Sequence, residues 1–445
     1  MSSLIVHSPK YRARRFLNWF PLGLTYATFY MGRYNLNVAG KTMMDMFHLS
    51  KAEFGVIATA GFWTYAVSVM FNGPLADRIG GRKAIMFGAL GAALLNLAIG
   101  LLFLSGWQTK LIVGMSLLYA ANQYFQSFGA LSVVKVNAPW FHVQERGVFG
   151  GIFGIMISSG YFLAMTVGGW ILAYLPWYYV FLIPSAAIGV MCVVDFFMVR
   201  DTPAAAGFPD FNTGDATAHD PDRDKPVDWN HLVSRVFTNR VIIILAVSEF
   251  CTGFVRQGIM LWFVPFLKEV HNIEHGSALF SVATIGVTVG GICGGLLCGY
   301  LSDHWFQSRR PPVAFLFYLG QIVSLIILGR VHSAAAASFM IGFTCMWIFG
   351  VHGMLSGTAS MDFGGSKAAS TVAGLLDGVQ YLASGLTGFF LGHFLDKWGW
   401  DAWTWMIIPF SIMGAVLMTR LWHETPLKHR GEVTHKERPP AAVVD

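Results

Sequence analysis

Residues 73–83 read GPLADRIGGRK, and residues 299–310 read GYLSDHWFQSRR. Each stretch opens on Gly, passes apolar and small residues to an Asp (Asp77 and Asp303), and closes on a basic pair. Each lies between two long apolar runs, the second and third for one copy and the eighth and ninth for the other. Such a segment is suited to a tight turn. Gly73 is expected to allow close packing, Asp77 to cap the next helix or pair with a neighbouring Arg, and Arg82 and Lys83 to stay in water, with Arg78 part of the same loop signature. One copy would leave a plain charged loop and a structured turn equally open. Two copies at matching places predict a chain built from two similar halves.

The apolar runs continue outward from these turns over the whole chain. A helix needs about 20 apolar residues to cross a bilayer. Twelve runs qualify, at about 16–40, 52–74, 83–104, 109–135, 146–173, 176–198, 239–268, 276–301, 312–330, 335–360, 368–394 and 400–422. Composition agrees: of 445 residues, 55% are hydrophobic and only 12% charged, roughly half the charged share of soluble domains. The runs are too long and too continuously apolar for the alternating strands of a membrane barrel. The expected fold is therefore an all-α membrane protein, with twelve transmembrane helices in two pseudo-symmetric six-helix bundles. The expected bundles are 1–198 and 239–422, joined by a polar linker over 199–238 and followed by a tail over 423–445. A duplicated six-helix unit is the repeat arrangement of many secondary transporters. The basic stretch Lys10 to Arg15 precedes the first run as in a signal peptide. That run is long and lacks a small-residue cleavage site, so it is expected to be retained.

Of the 30 Lys and Arg residues, 21 fall on the side of the spans that carries both termini, six on the other side, and three within spans. The positive-inside rule then places both termini in the cytoplasm, and a bacterial inner membrane is expected. The net charge of +6 is not gathered into a stripe, which argues against nucleic acid as a partner. The five Cys lie in apolar runs at no metal-ligand spacing, so no metal and no cofactor are expected. GGRKAIMFG fails the spacing of a phosphate-binding P-loop, and no GxSxG elbow or HExxH pair is present, so no enzyme chemistry is indicated.

The three basic residues within spans are Arg33, Lys135 and Arg256. Arg33 and Arg256 each lie about 17 residues into equivalent spans, the first and the seventh, which at 1.5 Å per residue is close to mid-membrane. An Arg at that depth costs at least ~2.5–3.5 kcal/mol on insertion scales. One explanation is neutralisation by a buried carboxylate. Glu249 is the nearest in sequence to Arg256, about 10 Å away along the helix axis, and Asp195 lies near its helix end. The other explanation is an anion site: two planar guanidinium forks gripping a tetrahedral dianion from opposite halves.

The loop GPLADRIGGRK resembles the signature of the major facilitator superfamily. Nearly the whole chain is similar to one branch of it, the organophosphate:phosphate antiporter family, which includes glycerol-3-phosphate, hexose-6-phosphate and phosphoglycerate carriers. The matching segments are YATFYMGR (Tyr26, Tyr30, Arg33), FQSFG (Phe125 to Gly129), WFHVQERG (Trp140 to Gly147), RQGIMLWFVPFLKEV (Arg256 to Val270) and Ser366 to Trp400. The resemblance implies that Arg33 and Arg256 bind phosphate and that Tyr26 and Tyr30 line the path. It also implies departures: Tyr34, Val69, Ile157 and Gly253 stand where glycerol-phosphate members carry Lys, Lys, His and Tyr. A substrate other than glycerol 3-phosphate is expected.

Several further residues are candidates. Asp377 and Gln380 lie one turn apart on the eleventh span; Asp377 either selects the organic end of the substrate or carries a proton, or else serves helix packing or pairs with Lys135. Lys135 either snorkels to the interface or gates the cavity mouth. His352 is a packing group or a proton relay. Gln126, with Gln123 on the same face, offers an amide to the cavity. Dense glycines in the fifth, eighth and eleventh spans allow close helix approach, whether for sliding or for static packing. The function these residues support is exchange of an organic phosphate or phosphonate anion for inorganic phosphate by a monomer in the lipid bilayer. Proton-coupled uptake of an organic anion and a transporter-like sugar-phosphate sensor are the alternatives.

Overall fold

The computed structural model describes residues 7–142, 145–209, 238–307 and 309–423, apart from the side chains at 74, 77, 146–153 and 357–373. These residues form twelve helical rods. The first half runs Pro9–Phe47, Lys51–Ile79, Gly81–Leu104, a fourth rod of Leu111–Gln126 and Phe128–Asn137 broken at Ser127, a fifth of Arg146–Tyr161, Phe162–Val167 and Gly168–Tyr174, and Tyr179–Met198. The second half runs Arg240–His271, Ala278–His304, Arg310–Leu328, a tenth rod of Ala334–His352 and Gly353–Ala359, Ser360–Trp398, and Asp401–Arg420. Side-chain caps start several of them: Ser8, Ser50, Asn239, Ser277 and Ser333 each accept from a backbone N–H of the first turn, which satisfies donors the helix leaves open. Ser50 and Glu53 complete a reciprocal capping box.

Nine of the rods are long and apolar enough on their own to cross a membrane. The first, fourth and eleventh are not among them, for reasons that concern the site. The first carries Asn18, Arg33, Asn35 and Asn37, all essentially inaccessible; the fourth is broken at Ser127; the eleventh carries Asp377 and Gln380. Polar groups at membrane depth are tolerated where protein surrounds them. The third and sixth rods instead turn Leu94, Leu101, Val190, Val193 and Phe197 outward, as a lipid-facing surface requires.

Packing within the halves repeats. The third rod packs on the sixth as the ninth does on the twelfth, and the second on the fourth as the eighth on the tenth. The first packs on the fifth and sixth as the seventh does on the eleventh and twelfth. Adding six to each partner of the first set gives the second set. The halves meet through the second and eleventh rods, the fifth and eighth, and the first and seventh, which the same operation interchanges.

Several details differ from the sequence expectation. The tight turn between the second and third rods is made at Gly80, whose φ of +89° suits a residue without Cβ. Gly73 is not needed for close packing, since a Cβ there would meet only Leu131 at 4.0 Å. The third rod is capped by Asp201, which accepts from Arg82 N at 2.8 Å; the side chain of Asp77 lies outside the described residues. Arg82 also donates to the Phe196 carbonyl, Arg78 is exposed, and Asp303 pairs with Arg310 at 2.8 Å. The fourth, fifth and tenth spans are interrupted rather than continuous. Most of the linker (210–237) and of the tail (424–445) lies outside the described residues.

The end of the molecule that holds Lys51, Glu269 and Trp400 is sealed. Gly55 and Gly388 bring the second and eleventh rods into backbone contact, so that a Cβ on Gly55 would lie 2.0 Å from Gly388 O. Thr59 Oγ1 donates to Gly385 O at 2.6 Å and Trp63 Nε1 to Leu382 O at 3.0 Å. On the other flank, Thr166 and Thr284 join at 2.9 Å. Lys41 and Lys51 of the first half both reach Glu269 of the second, at 3.1 and 3.0 Å, and Trp400 Nε1 donates to the same carboxylate at 2.7 Å. At the opposite, basic end the ion pairs among the described residues stay within one half, as in Arg15 with Glu145 at 2.9 Å. Burial opposes charge on that carboxylate, yet the Arg15 guanidinium holds Glu145 below the usual range.

Candidate functional site

The two arginines within spans converge at the centre of the bundle, one from each half. Arg33 is 1% exposed and Arg256 2%. They are therefore closed off from solvent. Helix depth puts both guanidiniums at one level, and the first–seventh contact brings the rods that carry them together.

Arg33 Nη2 donates to the Gln126 carbonyl at 3.1 Å, and Nη1 to Tyr381 Oη at 3.3 Å. Its guanidinium lies 4.6 Å from the Tyr65 ring centre, 5.2 Å from Tyr30 and 6.0 Å from Tyr26. Arg256 Nη2 donates to Gln380 Oε1 at 3.0 Å, and Nη1 faces His352 Nε2 at 3.5 Å. Its guanidinium lies 5.2 Å from the Tyr381 ring centre. Tyr381 thus stands between the two charges, its hydroxyl on one and its π-face on the other. Desolvated cation–π contacts contribute on the order of 2 kcal/mol each.

Among the described residues neither arginine makes an ion pair with a carboxylate, and the Nε of each has no partner. Glu249 is fully buried, and among the described residues no donor is within full hydrogen-bond distance of its oxygens, the Gln380 side chain reaching toward it; the nearest basic nitrogen recorded for it is His352 Nδ1, at 3.9 Å. Asp195 is held by Thr25 Oγ1 at 2.8 Å. Two positive charges on the scale of 10 Å apart repel by roughly 1.7 kcal/mol at an effective dielectric of ~20. A bound dianion converts that repulsion into attraction.

The structure places the sequence candidates unevenly. Tyr26, Tyr30, Gln126, Gln380 and His352 all fall around the arginines, though Gln126 meets Arg33 through its backbone. The amides of Gln123 and Gln126 are buried without partners. Asp377 is partly buried and makes no hydrogen bond or ion pair among the described residues; its charge acts on Arg256 and Arg33. Lys135 is exposed, well away from this cluster. Gly253 cannot be exchanged for a larger residue without displacement, because its Cβ would lie 2.1 Å from Gln380 O. Val69 is a core residue.

Sequence analysis missed Tyr65 and Tyr381, and singled out Tyr34 only as a departure; Tyr34 faces Tyr161 at 3.4 Å between hydroxyls. Tyr381 did carry a signal: it follows Asp377 by four residues and so shares its helix face.

Comparison with known proteins bears on this geometry. The profile of the Major Facilitator Superfamily matches residues 22–388. A glycerol-3-phosphate transporter of Bacillus subtilis (strain 168) is 27% identical, with 93% of each chain covered. A membrane sensor protein, UhpC, of Salmonella typhimurium is 26% identical over 89% of this chain and 88% of its own. The fold resembles that of a bacterial homologue of the human lysosomal transporter Spinster, with a TM-score of 0.70, 16% identity, and coverage of 98% of this chain and 100% of that one. These relatives match the organophosphate resemblance carried by the sequence motifs. With the profile spanning most of its length, the chain belongs to the Major Facilitator Superfamily, as a multi-pass membrane protein of transporter rather than enzyme kind.

Proposed function

We propose that the protein exchanges an organic phosphate, or a similar phosphorylated or phosphonate anion, for inorganic phosphate by alternating access. The observation that carries this is the pair of buried guanidiniums, one from each half, with no carboxylate among the described residues paired to either. Arg presents a planar fork that suits a phosphoryl group bidentately, as a Lys point charge does not. A phosphoryl group between Arg33 and Arg256 takes over the contacts now made by Tyr381 and Gln380 and draws the halves together. Without it, mutual repulsion opposes the closure that switching requires, which makes the transport an obligatory exchange.

The substrate class follows from the relatives, one of which is named as a glycerol-3-phosphate transporter. Glycerol 3-phosphate itself is not assigned, because Tyr34 and Gly253 alter the wall of the site. The charge asymmetry of the chain supports a cytoplasmic basic end with both termini, and the bacterial relatives support a bacterial inner membrane. The sealed end then faces outward, and the protein works as a monomer in the inner membrane. A sensor that binds without transporting has one specific ground, the similarity to UhpC.

Reconstitution into phosphate-loaded proteoliposomes tests this. Labelled phosphate is expected to exchange without a pH gradient, and external organic phosphates to compete. Arg33→Lys and Arg256→Lys are each expected to abolish exchange in a folded protein. Flux only under a proton gradient would replace exchange by proton-coupled uptake, and saturable binding without flux would favour the sensor.

A further inference from the structure

His352, Gln380 and Arg256 form a closed triangle of hydrogen-bonding groups that cannot all be satisfied. A guanidinium only donates. Gln380 turns its Oε1 to Arg256 Nη2 at 3.0 Å, which leaves its Nε2 facing His352 Nδ1 at 2.6 Å. Nδ1 must then accept, so the proton of the neutral ring sits on Nε2. That N–H faces Arg256 Nη1 at 3.5 Å, donor against donor. Moving the ring proton to Nδ1 sets it against the amide nitrogen instead. Turning the amide over sets that nitrogen against Arg256. One donor–donor contact survives in every arrangement, and the gap between Nε2 and Nη1, the longest of the three distances, is the one with room for an added acceptor.

We propose that His352 is a third ligand of the transported anion: its Nε2–H and Arg256 Nη1 form a two-donor notch for one oxyanion oxygen, with Glu249 behind the ring as counter-charge to its protonated form. This rests on the anion site proposed above. An oxygen placed in the notch accepts from both groups and removes the mismatch. The anion also relieves Arg256 of its need for Gln380, so the amide can turn its oxygen to Nδ1. The ring then takes a proton from solvent onto Nδ1 and becomes an imidazolium, a third positive group on the phosphoryl oxygens. Glu249 supplies the balancing charge. Its Oε2 lies 3.9 Å from Nδ1; among the described residues no donor is within full hydrogen-bond distance of its oxygens, and the Gln380 amide is the side chain that reaches toward it.

The groups around the pair are consistent with this division. The seventh rod contributes Arg256 and Cys251, the ninth Tyr318, whose hydroxyl is 2.7 Å from Thr252, and the eleventh Asp377 and Tyr381. The fifth brings Tyr161 against Phe349. The eighth packs Gly290 and Gly294 onto the tenth at Met346. Of the two carboxylates here, Asp377 and Glu249, Glu249 is the one recorded beside the ring.

The test uses the full chain in nanodiscs, with inorganic phosphate as probe, between pH 6 and 8.5. Comparing variants cancels the ionisation of phosphate itself. At pH 6 the wild type is expected to bind about tenfold more tightly than His352→Gln, the scale of one charge-assisted hydrogen bond. That ratio is expected to narrow at least about threefold by pH 8.5 as the ring loses its proton. Glu249→Gln is expected to keep binding but flatten the ratio. Phosphate binding by wild type in two buffers of different ionisation enthalpy should take up a proton beyond that of phosphate, a result that stands even if His352→Gln does not fold. Equal affinity of His352→Gln and wild type at every pH, or no added proton uptake, would overturn the role of His352 while leaving the anion site intact. Failure of wild type to bind phosphate at all would overturn the anion site and this inference with it.

Discussion

Glu269→Gln removes a single charge from the sealed end, and its effect can be worked from the contacts. The carboxylate receives Lys41 at 3.1 Å, Lys51 at 3.0 Å and Trp400 Nε1 at 2.7 Å. The two lysines come from the first half and Glu269 from the second, so both pairs break when this end opens. Glu269 is 22% exposed in its side chain, Lys41 16% and Lys51 19%. Partial exposure holds each pair to about 0.5–1 kcal/mol. The Trp400 bond joins two groups of the second half and survives opening, so it does not count. The substitution should shift the balance toward the form open at this end by about 1–2 kcal/mol, or roughly fivefold to thirtyfold. Spin labels at the sealed ends of the second and eleventh rods, read by electron–electron distance distributions, would report that ratio directly. A Lys41→Met, Glu269→Gln double-mutant cycle should return a coupling of at least about 0.5 kcal/mol. An unchanged distance distribution with zero coupling would show that helix packing alone holds the seal.

Other expectations concern different parts of the molecule. Gly55→Ala should force the second and eleventh rods apart, since its Cβ would meet Gly388 O at 2.0 Å; the same labels should report opening, and an unaltered seal would contradict the close approach. Tyr381→Phe removes the hydroxyl at 3.3 Å from Arg33 and should weaken phosphate affinity or exchange by about tenfold at most, with loss of all binding counting against a merely bridging role. Burial pushes His275, in the turn after the seventh rod, down to about 4. A base with a depressed folded-state value stabilises above its ordinary pKa near 6.5 and loses that contribution as pH falls toward 4. Acidification from pH 7 to 5 should therefore cost about 2 kcal/mol, measured as a fall in thermal unfolding temperature that His275→Gln abolishes.

The sequence by itself determined the number of spans, their division six and six, and the basic end, because these depend on local composition and on a repeated turn. It also placed Arg33 and Arg256 at matching distances along equivalent helices, since helix rise converts residue count into distance along the axis. It misjudged the turn, where Gly80 rather than Gly73 does the work, because φ at a single residue is not a property of composition. Only the tertiary structure decided what the arginines touch. Tyr381 lies 348 residues from Arg33, His352 lies 96 from Arg256, and Glu269 meets lysines from the other half of the chain. Those encounters depend on how each rod is rotated and set against its neighbours, which is fixed by side-chain packing across the whole bundle.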